Sequence, residues 1–109
     1  MINAEIYRNK NKDIVKAVFE GHSLYSDEND IVCAAVSAVT HTVLCGISEV
    51  VGISFGYETD DGYLYFVLPD DISEDKREKA NVLLDSMYLF LMNLQEQYSD
   101  NITVSESEV

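Results

Sequence analysis

The chain opens on a strict alternation: Ile2, Ala4 and Ile6 are separated by Asn3, Glu5 and Tyr7. That is the period of a strand that turns one face to a core. The polar run from Asn9 to Asp13 reads as a turn, and "IVKAVFE" follows as a second strand ending at Gly21, so the first two elements form a hairpin. The period then changes. Val32, Val36, Val39, Val43, Ile47 and Val50 fall in one narrow stripe at about 100° per residue, which predicts a helix from an N-cap at Asn29 or Asp30 to about Glu49. Its β-branched content is unusual for a helix, but the stripe outweighs the propensity.

Beyond this helix Val51, Ile53, Phe55 and Tyr57 alternate with Gly52, Ser54 and Gly56, predicting a third strand with one bulky and one nearly bare face. Asp60, Asp61 and Gly62 turn the chain into "YLYFVLP", a fourth strand closed by Pro69. A last helix starts between Asp71 and Ser73. Glu74 and Asp75 suit its first turn, and Ala80, Leu83, Leu84, Met87, Leu91, Leu94 and Tyr98 form its stripe. The expected domain, residues 1–98, is α+β in ββαββα order, with a mainly antiparallel four-stranded sheet and two helices. Residues 99–109 are a polar, acidic tail expected to fray. Val82, Leu89 and Phe90 lie off the last helix's stripe, and this surplus apolar surface implies a second packing partner, either the other helix or, at least as readily, a second copy in a homodimer.

Composition narrows the function classes. A chain of 109 residues holds one core, and 47% hydrophobic residues with a single proline mark an ordinary globular protein. Seven Lys and Arg against 20 Asp and Glu give a net charge of -13, which repels a nucleic-acid backbone. Residues 17–75 contain no Lys or Arg, so the middle of the chain suits a cationic partner. The two cysteines, Cys33 and Cys45, would stand about 18 Å apart on one helix, beyond disulfide reach, and are read as free thiols in a reducing compartment. No leader pattern is seen at the N-terminus, and no stretch is read as approaching the roughly 20 apolar residues of a membrane span. The expectation is a soluble, cytoplasmic protein that binds neither membrane nor nucleic acid.

The stretch "EGHSLYSDENDIVCAAVSAVTH" places chemistry at both ends of one loop. With Asp30 as N-cap, Cys33 is the third helical residue, where unpaired N–H groups and the helix dipole favour a thiolate. It sits on the shoulder of the apolar stripe with Ser37, Thr40 and Leu44, half exposed. His22 ends the second strand, and the loop between them returns the chain to the helix start. Imidazole and thiol can therefore meet as general base and nucleophile.

"GHS" followed by "DIVCAAVSA" resembles the signature of the ribosomal-processing cysteine proteases, whose pattern is Gly-His-Ala, a short loop, then Asp-x-Val-Cys-Ala-Ala-hydrophobic-Ser. The resemblance covers essentially the whole chain. It implies a cysteine endopeptidase that removes the N-terminal extension of a large-subunit ribosomal protein, with no cofactor. By the same resemblance His22 is the base and Cys33 the nucleophile, while Asp30 and Ser37 match the family's acidic and hydroxyl positions. The implied substrate, a basic ribosomal protein precursor, fits the acidic middle, and the family is homodimeric. Ser23 stands where the family has alanine, and the loop over residues 23–30 has no glycine, where the family's loop opens for substrate. The alternative from another class is a non-catalytic acidic homodimer that binds a basic ribosomal protein as an assembly partner or regulator.

Other signals are declined. Gly52-Ile53-Ser54-Phe55-Gly56 spells the serine-hydrolase G-x-S-x-G, but within an alternating strand and with no helix after it. His41 and Cys45 stand at i, i+4 without the further ligands that a zinc site needs, so no metal is expected, and His41 is read as solvent-facing. Asp60, Asp61, Asp70 and Asp71 are read as turn and cap residues.

Overall fold

The computed structural model describes residues 1–22 and 30–109. Strands β1 (Ile2–Arg8) and β2 (Ile14–Glu20) pair antiparallel. Asn9 shapes the turn between them: its Oδ1 accepts from the N–H groups of Asn11 and Asp13, at 2.9 and 3.1 Å. Helix α1 (Ile31–Cys45) runs on into a π-helical turn (Gly46–Val51). Strands β3 (Gly56–Asp60) and β4 (Tyr63–Val67) make the second hairpin. Helix α2 (Glu74–Gln97), capped by Ser73, precedes β5 (Ile102–Glu108).

The sheet order is β3-β4-β2-β1-β5, antiparallel except for the parallel β1–β5 pair. Register places Ala4 beside Phe19 and Ala17 beside Phe66, so one face of the sheet carries the core residues. Both helices pack on that face, through Val32, Val36, Val43 and Ile47 of the first helical segment and Ala80, Leu84, Met87 and Leu91 of α2. Gly46 allows their close approach, since a Cβ there would lie 3.0 Å from Leu83 Cδ1. The first hairpin is tied to α2 by polar contacts: Arg77 donates to the Ile14 carbonyl, and Asn81 donates to Asp13, both at 2.9 Å. On the helix-free face Lys16 Nζ stands 4.8 Å from the Tyr7 ring centroid and 5.6 Å from that of Tyr65, within cation–π range.

The α+β class and two helices agree with the sequence reading, but four of its details change. The sheet has five strands and is mixed, because the stretch expected to fray supplies β5. Ile102 is wholly buried and Val104 half-buried, an alternation carried by so few apolar residues that the acidic composition hid it. The third strand starts later than the alternation from Val51 suggested. The chain keeps coiling to Val51 with i to i+5 winding and stops at Gly52, whose φ of 84° lets it close the helix on the Ile47 carbonyl. The same widened turn carries Val50 off the apolar stripe, to 84% exposure. Finally, residues Ile31–Val51 form a 21-residue helical run of mean hydropathy 1.9, long and apolar enough for a membrane span by length and composition. Its Val32, Val36, Val43 and Ile47 are buried in the core instead.

Candidate active site

The site is assembled where β2 ends against the β3–β4 turn. Gly21 takes φ 96°, and its N–H donates to the Gly62 carbonyl at 2.8 Å. A Cβ at Gly21 would lie 2.2 Å from the Met1 carbonyl oxygen, so only glycine lets the chain leave β2 beside the start of β1. That exit delivers His22 onto the turn. Its imidazole rests over Gly62, where Nε2 is 2.8 Å from the place a Cβ would occupy. Asp61 Oδ1 stands 3.6 Å from the same nitrogen, and with the Asp61 side chain 94% exposed this charge acts through water-screened attraction.

Cys33 comes from the first turn of α1. Asp30 is the N-cap, its Oδ1 accepting from the Cys33 N–H at 2.9 Å, which fixes the residue carrying the thiol relative to the helix start. Cys33 is half-buried, as its place on the shoulder of the stripe suggested. His22 and Cys33 border one cleft of about 230 Å³. Ser37, Thr40 and His41 extend it along the next two turns of α1, and Tyr63 and Leu64 of β4 close the other side. Thr40 is buried with its hydroxyl donating to the Val36 carbonyl at 2.7 Å, so it is a satisfied wall residue, whereas Ser37 is exposed. Burial, then the negative charges of Glu58 and Glu20, raise the Tyr63 phenol above its ordinary value.

The structure thus brings His22, Cys33 and Ser37 of the expected set to one cleft and makes Asp30 the cap. The Cys33 N–H is engaged by the Asp30 carboxylate. The sequence reading assigned Asp61 to turn formation, and the structure places its carboxylate beside His22. No spacing rule signals that pairing, because it arises from β2 meeting β4. His41 is exposed as expected, yet it also borders the cleft. The declined motif was expected inside a strand, but Gly52 to Phe55 lie ahead of β3 and only Gly56 belongs to it, with β3 and not a helix following. Among the described residues no three His, Cys, Asp or Glu side chains converge as a metal site. The loop expected between His22 and the helix, with Asn29 and the Ser23 substitution, lies outside the described residues apart from Asp30.

Comparison with known proteins adds the following. The family model described as cysteine protease Prp matches residues 1–103. The ribosomal processing cysteine protease Prp of Bacillus subtilis is 32% identical over 96% of this chain and 96% of its own. Its namesake from Staphylococcus aureus is 23% identical over 96% of this chain and 98% of its own. In structure, an essential ribosomal processing protease Prp from S. aureus with a covalently linked product peptide superposes with a TM-score of 0.87 at 24% identity, covering 98% of this chain and 100% of the other.

Proposed function

This chain belongs to the cysteine protease Prp family, and on that premise we propose that it removes the N-terminal extension of a large-subunit ribosomal protein by a Cys33/His22 dyad. It is a cysteine protease. The observation that carries the dyad reading is that these two side chains, one just past the end of β2 and one in the first turn of α1, border one cleft.

In the proposed cycle the His22 imidazole takes the Cys33 thiol proton, and the thiolate attacks the scissile carbonyl carbon. The tetrahedral intermediate collapses as the imidazolium gives its proton to the departing amine, leaving a thioester on Cys33. Water then attacks the thioester, with His22 accepting its proton, and the thiol leaves with that proton as the new carboxylic acid is released. Asp30 holds the helix start, Ser37 lines the cleft one turn on, and Asp61 offers a screened negative charge to the imidazolium. No cofactor is required for this sequence.

A basic precursor suits the charge distribution, since residues 17–75 carry no Lys or Arg. The protease acts in the cytoplasm, without membrane or nucleic acid as a partner. The working unit is a homodimer that covers part of α2's outward surface, where Val82 and Leu89 are 68% and 63% exposed and Phe90 39%.

The test is intact-mass analysis of the ribosomal precursor after incubation with wild type and with Cys33→Ala. One shortened product, from wild type alone, is the expected result. Unchanged mass with wild type, given folded protein and a reduced thiol, would overturn the reading and favour the acidic binding partner.

A further inference from the structure

Both helices pack on one face of the sheet, and the opposite face has a pattern of its own. Register aligns its side chains in rows across the strands. One row runs Glu5, Val18, Tyr65 and Glu58, an aliphatic and an aromatic residue between two carboxylates. Tyr7, Lys16 and Val67 form the row on one side, and Glu20 and Tyr63 stand on the other. A face meant only for water calls for polar side chains here. Instead three tyrosines and two valines, all half-buried, make an apolar patch with an acidic rim.

Lys16 shows what the rings accept. Its Nζ lies within cation–π range of both Tyr7 and Tyr65, a cation held over two aromatic faces. The carboxylates call for the same ligand charge: Glu5, Glu20 and Glu58 are all exposed, with Glu5 accepting from the Tyr7 hydroxyl at 2.6 Å. A second copy turned face to face would oppose its own acidic rim, and a nucleic-acid backbone would meet the same repulsion. A basic polypeptide satisfies both features, because Arg and Lys side chains stack on tyrosine rings and pair with glutamates.

We propose that the helix-free face of the sheet is a docking surface for a basic polypeptide, the body of the precursor whose extension is cut in the cleft. The proposal rests on the protease reading above. Position supports it as well as charge. Glu20 leads through Gly21 directly to His22, and Tyr63 borders the cleft, so the face adjoins the catalytic site. Passing from the cleft around the end of β2 to this face takes about 10 Å, or about three extended residues. The substrate's body therefore sits on one side of the sheet while its cut segment lies on the other.

The test compares the full precursor with a short synthetic peptide spanning the same cut. Glu5→Gln combined with Glu58→Gln should raise KM for the precursor about three- to tenfold, the size expected from losing two exposed ion pairs, and leave kcat/KM for the peptide unchanged. Tyr65→Ala should raise the same KM about fivefold or more, again for the precursor alone. Glu78→Gln combined with Glu96→Gln removes equal charge from exposed positions of α2 and should affect neither substrate, which separates this face from net charge. An unchanged precursor KM in the Glu5/Glu58 variant, or an equal rise in the α2 variant, would overturn the docking surface while leaving the protease intact. So would dissociation of the wild-type oligomer by Tyr65→Ala in sedimentation, since the face would then belong to a second copy. Cleavage of neither substrate by wild type would instead remove the protease reading, and the surface's assignment with it.

Discussion

Replacing Gly62 by alanine tests whether the observed seat of His22 is its working position. Two effects are separable. At φ 66° a residue with a Cβ costs roughly 1–2 kcal/mol, and in a domain of this size each kcal/mol lowers Tm by about 4–8 °C. The new Cβ would also stand 2.8 Å from His22 Nε2, where ordinary contact begins at 3.4 Å, so the ring must retreat by about 0.6 Å. Misplacing a catalytic group by about 1 Å can cost a hundredfold, so a loss of about ten- to a hundredfold in kcat/KM is expected, or roughly 1.4–2.7 kcal/mol in the barrier. Gly62→Asn separates the two effects, because asparagine tolerates the left-handed backbone but carries the same Cβ. It should recover much of the lost Tm and little of the lost activity. Thermal melts and peptide-cleavage kinetics on the two variants make the comparison. A folded Gly62→Ala protein with wild-type kcat/KM would refute the reasoning, since the imidazole would then be working from somewhere else.

Gly21→Ala should be the harsher change, because the clash at 2.2 Å is with a backbone carbonyl that cannot swing away; we expect at least about 1–3 kcal/mol of lost stability in denaturant melts, and a wild-type midpoint would contradict the close approach to Met1. Asp30→Ala removes the cap on α1 and should cost about 0.5–2 kcal/mol, with Asp30→Ser or Asp30→Asn restoring most of it, as urea titration would show. Acid stability should depend on β5: the hydrogen bond from Arg8 holds the Glu106 carboxyl below its ordinary 4.5, against the effect of burial and with help from Tyr88. A lowered folded-state value means stability that is full above the unfolded value and lost as pH falls through the folded one, so Glu106→Gln should flatten the melt-versus-pH curve below about pH 4.5. An unchanged slope there would show that the Arg8–Glu106 pair does not hold the strand.

The elements whose signals are local could be read from the chain. The hairpin of β1 and β2 followed from side-chain alternation, α1 from a stripe of valines behind a capping aspartate, and α2 from its apolar positions behind Ser73. The candidate chemistry was legible for the same reason, since Gly21-His22 and Asp30 to Ser37 are short contiguous motifs. The widened turn after Cys45 was not, because a π-helical turn differs from an α-helical one by a single hydrogen-bond step and keeps much the same apolar composition.

By itself the sequence determined the two helices, most of the strands, the acidic character and the placing of an imidazole just past β2 and a thiol in the first turn of α1. Each of these depends on neighbours within a turn or two of chain. The tertiary structure decided the rest: that Ile102–Glu108 completes the sheet beside β1, that the Asp61 carboxylate stands beside the His22 ring, and that His22, Cys33 and Ser37 border one cleft. Those features are contacts between residues far apart in the chain. They exist only once β2 has paired with β4 and β5 with β1, and strand pairing at long range is selected by the whole core's packing, which leaves no periodic trace in any one segment.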